Sequence, residues 1–121
     1  MSDRTRTVLI VDDDPQILRL VEKMLRPRNV KVLLAPRPGE ALQICQQQAV
    51  HLLISDVLMP EMDGNKLAER VLKLHPEAAI LLISGHCKEP PAAKSGQVRF
   101  LKKPFFPSQL IQFLRELLPE D

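Results

Sequence analysis

Five residues of this chain have side chains that could act together on a phosphoryl group: Asp12, Asp13, Asp56, Ser84 and Lys103. Each lies at or just beyond the end of a short aliphatic run. Asp12-Asp13 follow Val8-Leu9-Ile10-Val11, Asp56 follows Leu52-Leu53-Ile54-Ser55, Ser84 follows Leu81-Leu82-Ile83, and Lys103 lies just past Val98 to Leu101. Taken singly, each residue also has an ordinary structural reading. An Asp after a strand is commonly a helix cap, which is the preferred reading of Asp14; Ser84-Gly85 could be a turn, and Lys102-Lys103 a solvated edge. As a set they suggest chemistry. Three carboxylates brought to one sheet edge repel each other and need compensation. A hard cation with oxygen ligands supplies it, and Mg²⁺ (or Mn²⁺) suits a site of few carboxylates that leaves water on the metal. A lysine adds positive charge and a hydroxyl adds a donor. Aspartate is a competent phosphoryl acceptor, and the protein's part in such transfer is largely positioning and charge neutralisation.

The elements that must position these residues follow from hydrophobic patterning. Val8 to Val11 is a strand of the kind buried on both faces. Asp14-Pro15 makes a helix start, with Asp as N-cap and Pro at the first helical position. Ile17, Leu18, Val21, Met24 and Leu25 then repeat at helical spacing until Pro27. A second strand is expected over Val30 to Ala35, a helix over Glu40 to Gln48, and a third strand over His51 to Ser55. After the loop from Asp56 to Gly64, Leu67, Ala68, Val71 and Leu72 mark a helix closed by Pro76. Strands over Ala79 to Ile83 and Val98 to Leu101 precede a last helix near Ser108 to Leu118, with Leu110, Ile111, Phe113, Leu114 and Leu117 inward. Alternating strands and helices with apolar strands predict an α/β fold, a five-stranded parallel sheet with helices on both faces. Ligands of such folds bind outside the carboxyl ends of the strands, which is where the five residues fall.

Composition fits one ordinary domain, residues 1–121, with a formal net charge of +2, 45 % apolar and 26 % charged residues. The longest apolar runs, such as Ala78 to Ile83, are far short of the ~18 residues of a membrane span, and no signal-peptide body follows Met1. Two cysteines, Cys45 and Cys87, make no disulfide framework or zinc site, so a reducing cytoplasm is expected. The small positive balance is dispersed and Tyr and Trp are absent, so direct nucleic-acid binding is not indicated. The 11 prolines fall mostly at helix ends and loops, which removes low complexity as a reading; Pro90-Pro91 alone stand out of pattern.

Four blocks, in order and spanning nearly the whole chain, carry a family resemblance: Val8 to Asp14, Leu53 to Gly64 (Leu-Ile-Ser-Asp-Val-Leu-Met-Pro-Glu-Met-Asp-Gly), Leu82-Ile83-Ser84-Gly85 and Lys103-Pro104-Phe105. The chain resembles the receiver domain of two-component response regulators, of the chemotaxis-regulator kind, with a doubly wound flavodoxin-like (βα)5 fold. The resemblance implies that Asp56 is the phosphoacceptor and that Asp12, Asp13, Asp56 and the backbone carbonyl of Leu58 hold Mg²⁺. It implies that Ser84 hydrogen-bonds the phosphoryl group, that Lys103 pairs with it, and that Lys103–Pro104 is cis. Phe100 matches the aromatic that rotates inward as Ser84 shifts. Leu58 and His86 match positions that tune dephosphorylation, although His86 reads equally as an exposed loop residue. The implied donor is a histidine kinase or histidine phosphotransfer protein, and the chain is either a stand-alone receiver or part of a longer protein.

Between Ser84 and Lys103 the chain is about one helical turn shorter than receivers have, and Pro90-Pro91 cannot lie inside a helix. The fourth helix is therefore expected to be short, displaced or absent, which puts a phosphorylation-driven output through that helix in question. This segment is the support for an alternative function, a receiver-like interaction scaffold that works without phosphorylation. A second alternative is a small phosphatase of the haloacid dehalogenase type, since Asp12-Asp13-Asp14 contains its Asp-x-Asp. Gln16, however, stands where that motif has Thr or Val, and the chain has no room for a cap.

Overall fold

The computed structural model describes residues 5–85 and 97–118. His86, Cys87, Pro90-Pro91 and with them the expected disruption of a fourth helix lie outside the described residues. Nine elements follow one another: β1 (Arg6–Val11), α1 (Pro15–Leu25), β2 (Val30–Ala35), α2 (Pro38–Gln47), β3 (Leu52–Asp56), α3 (Gly64–Leu74), β4 (Ala79–Ser84), β5 (Val98–Lys102) and α4 (Pro107–Leu117), the last being the final helix of the sequence reading.

The five strands form one parallel sheet in the order β2-β1-β3-β4-β5. The three inner strands are aliphatic on both faces because both faces are covered. Leu9, Val11, Leu53, Ile80 and Leu82 pack with Ala41, Cys45, Leu67 and Val71 of α2 and α3. Their strand neighbours Val8, Ile10, Leu52, Ile54, Leu81 and Ile83 point the other way, onto Leu18, Val21 and Leu25 of α1 and Leu110 and Leu114 of α4. The edge strands β2 and β5 are only half-buried, as strands with one neighbour must be. Of the inward positions expected on the last helix, Leu110 and Leu114 are buried, Phe113 and Leu117 pack partly, and Ile111 stays half-exposed.

Two boundaries differ from the sequence reading in a way that bears on the site. β3 runs from Leu52 to Asp56, not from His51 to Ser55. His51 stands at the head of β1 instead: Thr7 donates its backbone N–H to His51 Nδ1 at 2.9 Å, and His51 returns its own N–H to the Thr7 carbonyl at 2.9 Å. Asp56 is consequently the last strand residue, held in the ladder opposite Ile83. α2 begins at Pro38 rather than Glu40, because proline's fixed φ suits the first helical turn.

Helix starts show local chemistry at work. Asp14 caps α1, its Oδ1 accepting from the Gln16 amide at 2.9 Å, and Asp63 caps α3, accepting from the Lys66 amide at 2.8 Å. α4 differs: its N-cap is Phe106, which offers no side-chain acceptor and is 75 % exposed. The Gln109 side chain reaches back to the Phe106 amide at 2.7 Å, which is half of a capping box. Supplying the missing acceptor with Phe106→Asp should stabilise the protein by about 1 kcal/mol. Urea unfolding monitored by circular dichroism is the measurement, and the midpoint should rise with an unchanged slope.

Candidate functional site

β1 and β3 are neighbours in the sheet but point their connections in opposite directions, β1 toward β2 and β3 toward β4. The crevice at such a reversal opens outside the carboxyl ends of the strands. Asp12 leaves β1 there and Asp56 ends β3 there, and one carboxylate oxygen each of Asp12, Asp13 and Asp56 lie within 4.8 Å of one another.

The three carboxylates are not equivalent. Asp13 is exposed, and Asp56 keeps 12 % of its side chain accessible. Asp12 is 1 % exposed. Its Oδ1 accepts from the Asp14 amide at 2.8 Å, while its Oδ2 is buried with no hydrogen-bond partner. Burial pushes the Asp12 carboxyl up to about 6, and the negative charges of Asp56 and Asp13 push in the same direction. The Asp14 amide and the Lys103 ammonium oppose the rise without cancelling it. An orphaned buried oxygen beside two further carboxylates fits a divalent cation with oxygen ligands.

Lys103 is the site's cation. Its Nζ donates to Asp56 Oδ2 at 3.3 Å and lies 3.8 Å from Asp12 Oδ2. Strand pairing and a backbone hydrogen bond bring it there. β5 pairs with β4 so that Lys102 stands opposite Ser84, and the Lys103 amide donates to the Ser84 carbonyl at 2.8 Å. The Lys103–Pro104 peptide is cis. Gly85 lies beside the lysine stem, where a Cβ would make only an ordinary contact, 3.7 Å from Lys103 Cδ. Ser84 itself ends β4 and is buried.

Leu58, in the loop after β3, is 53 % exposed and donates its amide to Asp56 Oδ1 at 3.3 Å. Phe100 is half-buried and packs against the α2–α3 side of the core. Asp12, Asp13, Asp56 and Lys103 thus come together, Ser84 flanks them at the end of β4, Leu58 lies in the loop after β3, Phe100 stands within β5 on the α2–α3 side, and His86 is outside the described residues. Cys45 is a small buried core residue, with burial pushing its thiol up to about 11. His75 is structural, its Nε2 2.7 Å from the Cys45 carbonyl.

Two supporting residues escaped a search for reactive side chains. Gly64 starts α3 against the end of β3. A Cβ there would lie 2.3 Å from the Asp56 carbonyl oxygen and 3.0 Å from Val57 Cα, so the close approach requires glycine. Its amide donates to the Val57 carbonyl at 2.7 Å. Glu61, in the same loop, takes φ 76°, a left-handed conformation uncommon for a side-chain-bearing residue. The only sequence signal for either was the Pro60-to-Gly64 spacing.

The chain matches the family model described as the response regulator receiver domain over residues 8–115. It is 32 % identical to the transcriptional regulatory protein GlrR of Escherichia coli (strain K12) over 123 residues, covering 99 % of this chain and 28 % of GlrR. It therefore spans little more than a quarter of that relative. An uncharacterized 14.6 kDa protein of Leptolyngbya boryana is 36 % identical over 114 residues, covering 90 % of this chain and 87 % of that one. Among solved structures, the chemotaxis protein CheY4 of Vibrio cholerae superposes with a TM-score of 0.81 at 30 % identity, covering 94 % and 99 % of the two chains. Sheet order, the acidic edge and these similarities agree: the chain belongs to the response regulator receiver domain family of two-component systems.

Proposed function

We propose that the chain acts as one receiver unit that takes a phosphoryl group onto Asp56. The observation that carries this reading is the Asp56 carboxylate itself. It is partly open to solvent, with Lys103 Nζ 3.3 Å from Oδ2, the Leu58 amide 3.3 Å from Oδ1 and two more carboxylates alongside. From a phosphohistidine donor, an Asp56 oxygen attacks phosphorus, the P–N bond breaks and the imidazole leaves with its nitrogen pair, to be protonated from water. Hydrolysis later breaks the new phosphorus–Asp56 bond and releases inorganic phosphate. Lys103 pairs with the oxygens of the bound group and Ser84 donates its hydroxyl to them. Asp12, Asp13, Asp56 and the Leu58 carbonyl are the residues that hold Mg²⁺ or Mn²⁺, which when bound neutralises charge on the transferred group. The donor is a histidine kinase or histidine phosphotransfer protein, and the place of work is the cytoplasm. No helix among the described residues is long and apolar enough to cross a membrane. Movement of Ser84 toward the phosphoryl group, with Phe100 following, would alter the surface around β5 and α4.

The phosphatase reading loses its second carboxylate, because Asp14 is engaged as the α1 cap. The scaffold reading gains nothing, since its support lay in the segment outside the described residues.

Incubation with Mg²⁺ and acetyl phosphate should add one phosphoryl group, 80 Da in intact-mass spectra, to about all of the protein. Asp56→Asn should abolish the addition and Lys103→Ala should slow it by at least about tenfold. Partner binding or mass addition indifferent to Asp56→Asn would refute the assignment.

The buried Asp12 also makes a stability prediction for the metal-free protein. In the unfolded chain this carboxyl ionises near 3.8, in the fold only near 6. Folding is therefore least hindered by it below about pH 4, and that advantage is lost as pH rises through 6. Without divalent cations, Asp12→Asn should raise the thermal midpoint at pH 7 by several degrees, about 1–2 kcal/mol, and by much less at pH 4. Adding Mg²⁺ should raise the midpoint of the wild type and not that of Asp12→Asn.

A further inference from the structure

Within β3, the aliphatic pattern stops one residue before Asp56. Ser55 sits between Ile54 and Asp56, fully buried, on the face where Leu53 and Val57 enter the α2–α3 core. Strand propensity and burial would favour Val or Leu there, and a buried hydroxyl is tolerated only with a partner. Its partner is the acceptor residue's own backbone. Ser55 Oγ donates to the Asp56 carbonyl oxygen at 2.9 Å and lies 4.0 Å from Met59 Sδ.

Ser55 binds that carbonyl from the strand, and α3 starts so close to it that a Cβ on Gly64 would come within 2.3 Å. The same peptide's N–H, on Val57, donates to the Ile83 carbonyl at 2.9 Å, and the next peptide is anchored at the Val57 carbonyl, which accepts from the Gly64 amide at 2.7 Å. The Asp56 side chain and the Leu58 amide that it binds project from this short stretch, so the orientation of the Asp56–Val57 peptide sets where both point. Met59, whose sulfur touches the same hydroxyl, packs partly into the core and tethers the far end of the stretch.

We propose that Ser55 is a positioning residue for Asp56. Its buried hydroxyl fixes the Asp56 carbonyl and the start of the following loop, so that the carboxylate stays in line with Lys103 and the loop backbone remains at the acidic edge. The inference rests on Asp56 being the acceptor. It adds to that reading a second anchor on the Asp56–Val57 peptide, beside the Val57 amide's bond to the Ile83 carbonyl. A displacement of even about 1 Å at a reacting group costs large factors in rate, which is why a buried polar group can be maintained here against strand propensity.

The test compares wild type, Ser55→Ala and Ser55→Thr, the last retaining both hydroxyl and strand preference. Phosphorylation by acetyl phosphate with Mg²⁺ is followed by intact mass over a range of donor concentrations. Amide hydrogen exchange of Leu58 is measured by NMR without metal or donor, and thermal midpoints serve as the folding control. Ser55→Ala should fold with a midpoint close to wild type and lower the maximal phosphorylation rate about tenfold at an unchanged half-saturating donor concentration. It should also speed Leu58 exchange severalfold, and Ser55→Thr should restore both. Wild-type rate and exchange in Ser55→Ala would overturn the proposal, as would equal losses in Ser55→Thr. If wild type gains no phosphoryl group, or gains it with Asp56→Asn, the acceptor assignment fails instead; accelerated Leu58 exchange in Ser55→Ala would then still report the backbone role.

Discussion

Like charges forced together at the edge of a low-dielectric core are what the rest of this molecule is arranged around. Asp12, Asp13 and Asp56 place carboxylate oxygens within 4.8 Å of each other, with Asp12 almost wholly out of water. Burial pushes the Asp12 carboxyl up to about 6, and the neighbouring Asp56 and Asp13 charges add to that rise. Lys103 supplies one positive charge to two of the three groups. Three carboxylates against one ammonium leave a residual negative charge, and Asp12 Oδ2 is buried without a hydrogen-bond donor. An interior of this kind favours incoming positive charge.

Holding that cluster requires a rigid frame, and the parallel sheet provides it. Asp12 and Asp56 emerge from adjacent inner strands whose aliphatic side chains are locked on both faces by helices. Ser84 and Lys103 come from the next two strands, tied to each other through the Lys103 amide and the Ser84 carbonyl. At the end of β3, α3 approaches closely at Gly64 and the Ser55 hydroxyl binds the Asp56 carbonyl. Precision at the edge is thus a property of backbone hydrogen bonds and core packing, both more rigid than a surface loop.

Much of this was legible in the sequence for physical reasons. Runs such as Val8 to Val11 and Ala79 to Ile83 can be buried only on both faces, so the parallel sheet and the location of its polar ends followed from the pattern. The cap role of Asp14 followed from its place before Pro15. Less legible was whatever depends on backbone geometry rather than on side-chain type. Ser55 next to Asp56 read as the end of a strand, because its hydroxyl bond to the Asp56 carbonyl is set by the strand's exact termination. Gly64 read as part of a motif, because close approach of α3 to β3 is a tertiary fact. His51 was placed in β3 on propensity, whereas its ring ties down the Thr7 amide.

The strand order has one more implication. The site draws on residues 12, 56, 84 and 103, which span nearly the whole described chain, and it closes only when every crossover between them is in place. No piece of the chain shorter than residues 12–103 contains all four. Anything that binds this edge therefore binds the complete native state and not its parts, so occupancy and global folding are thermodynamically linked. A loaded edge would make the whole sheet harder to open.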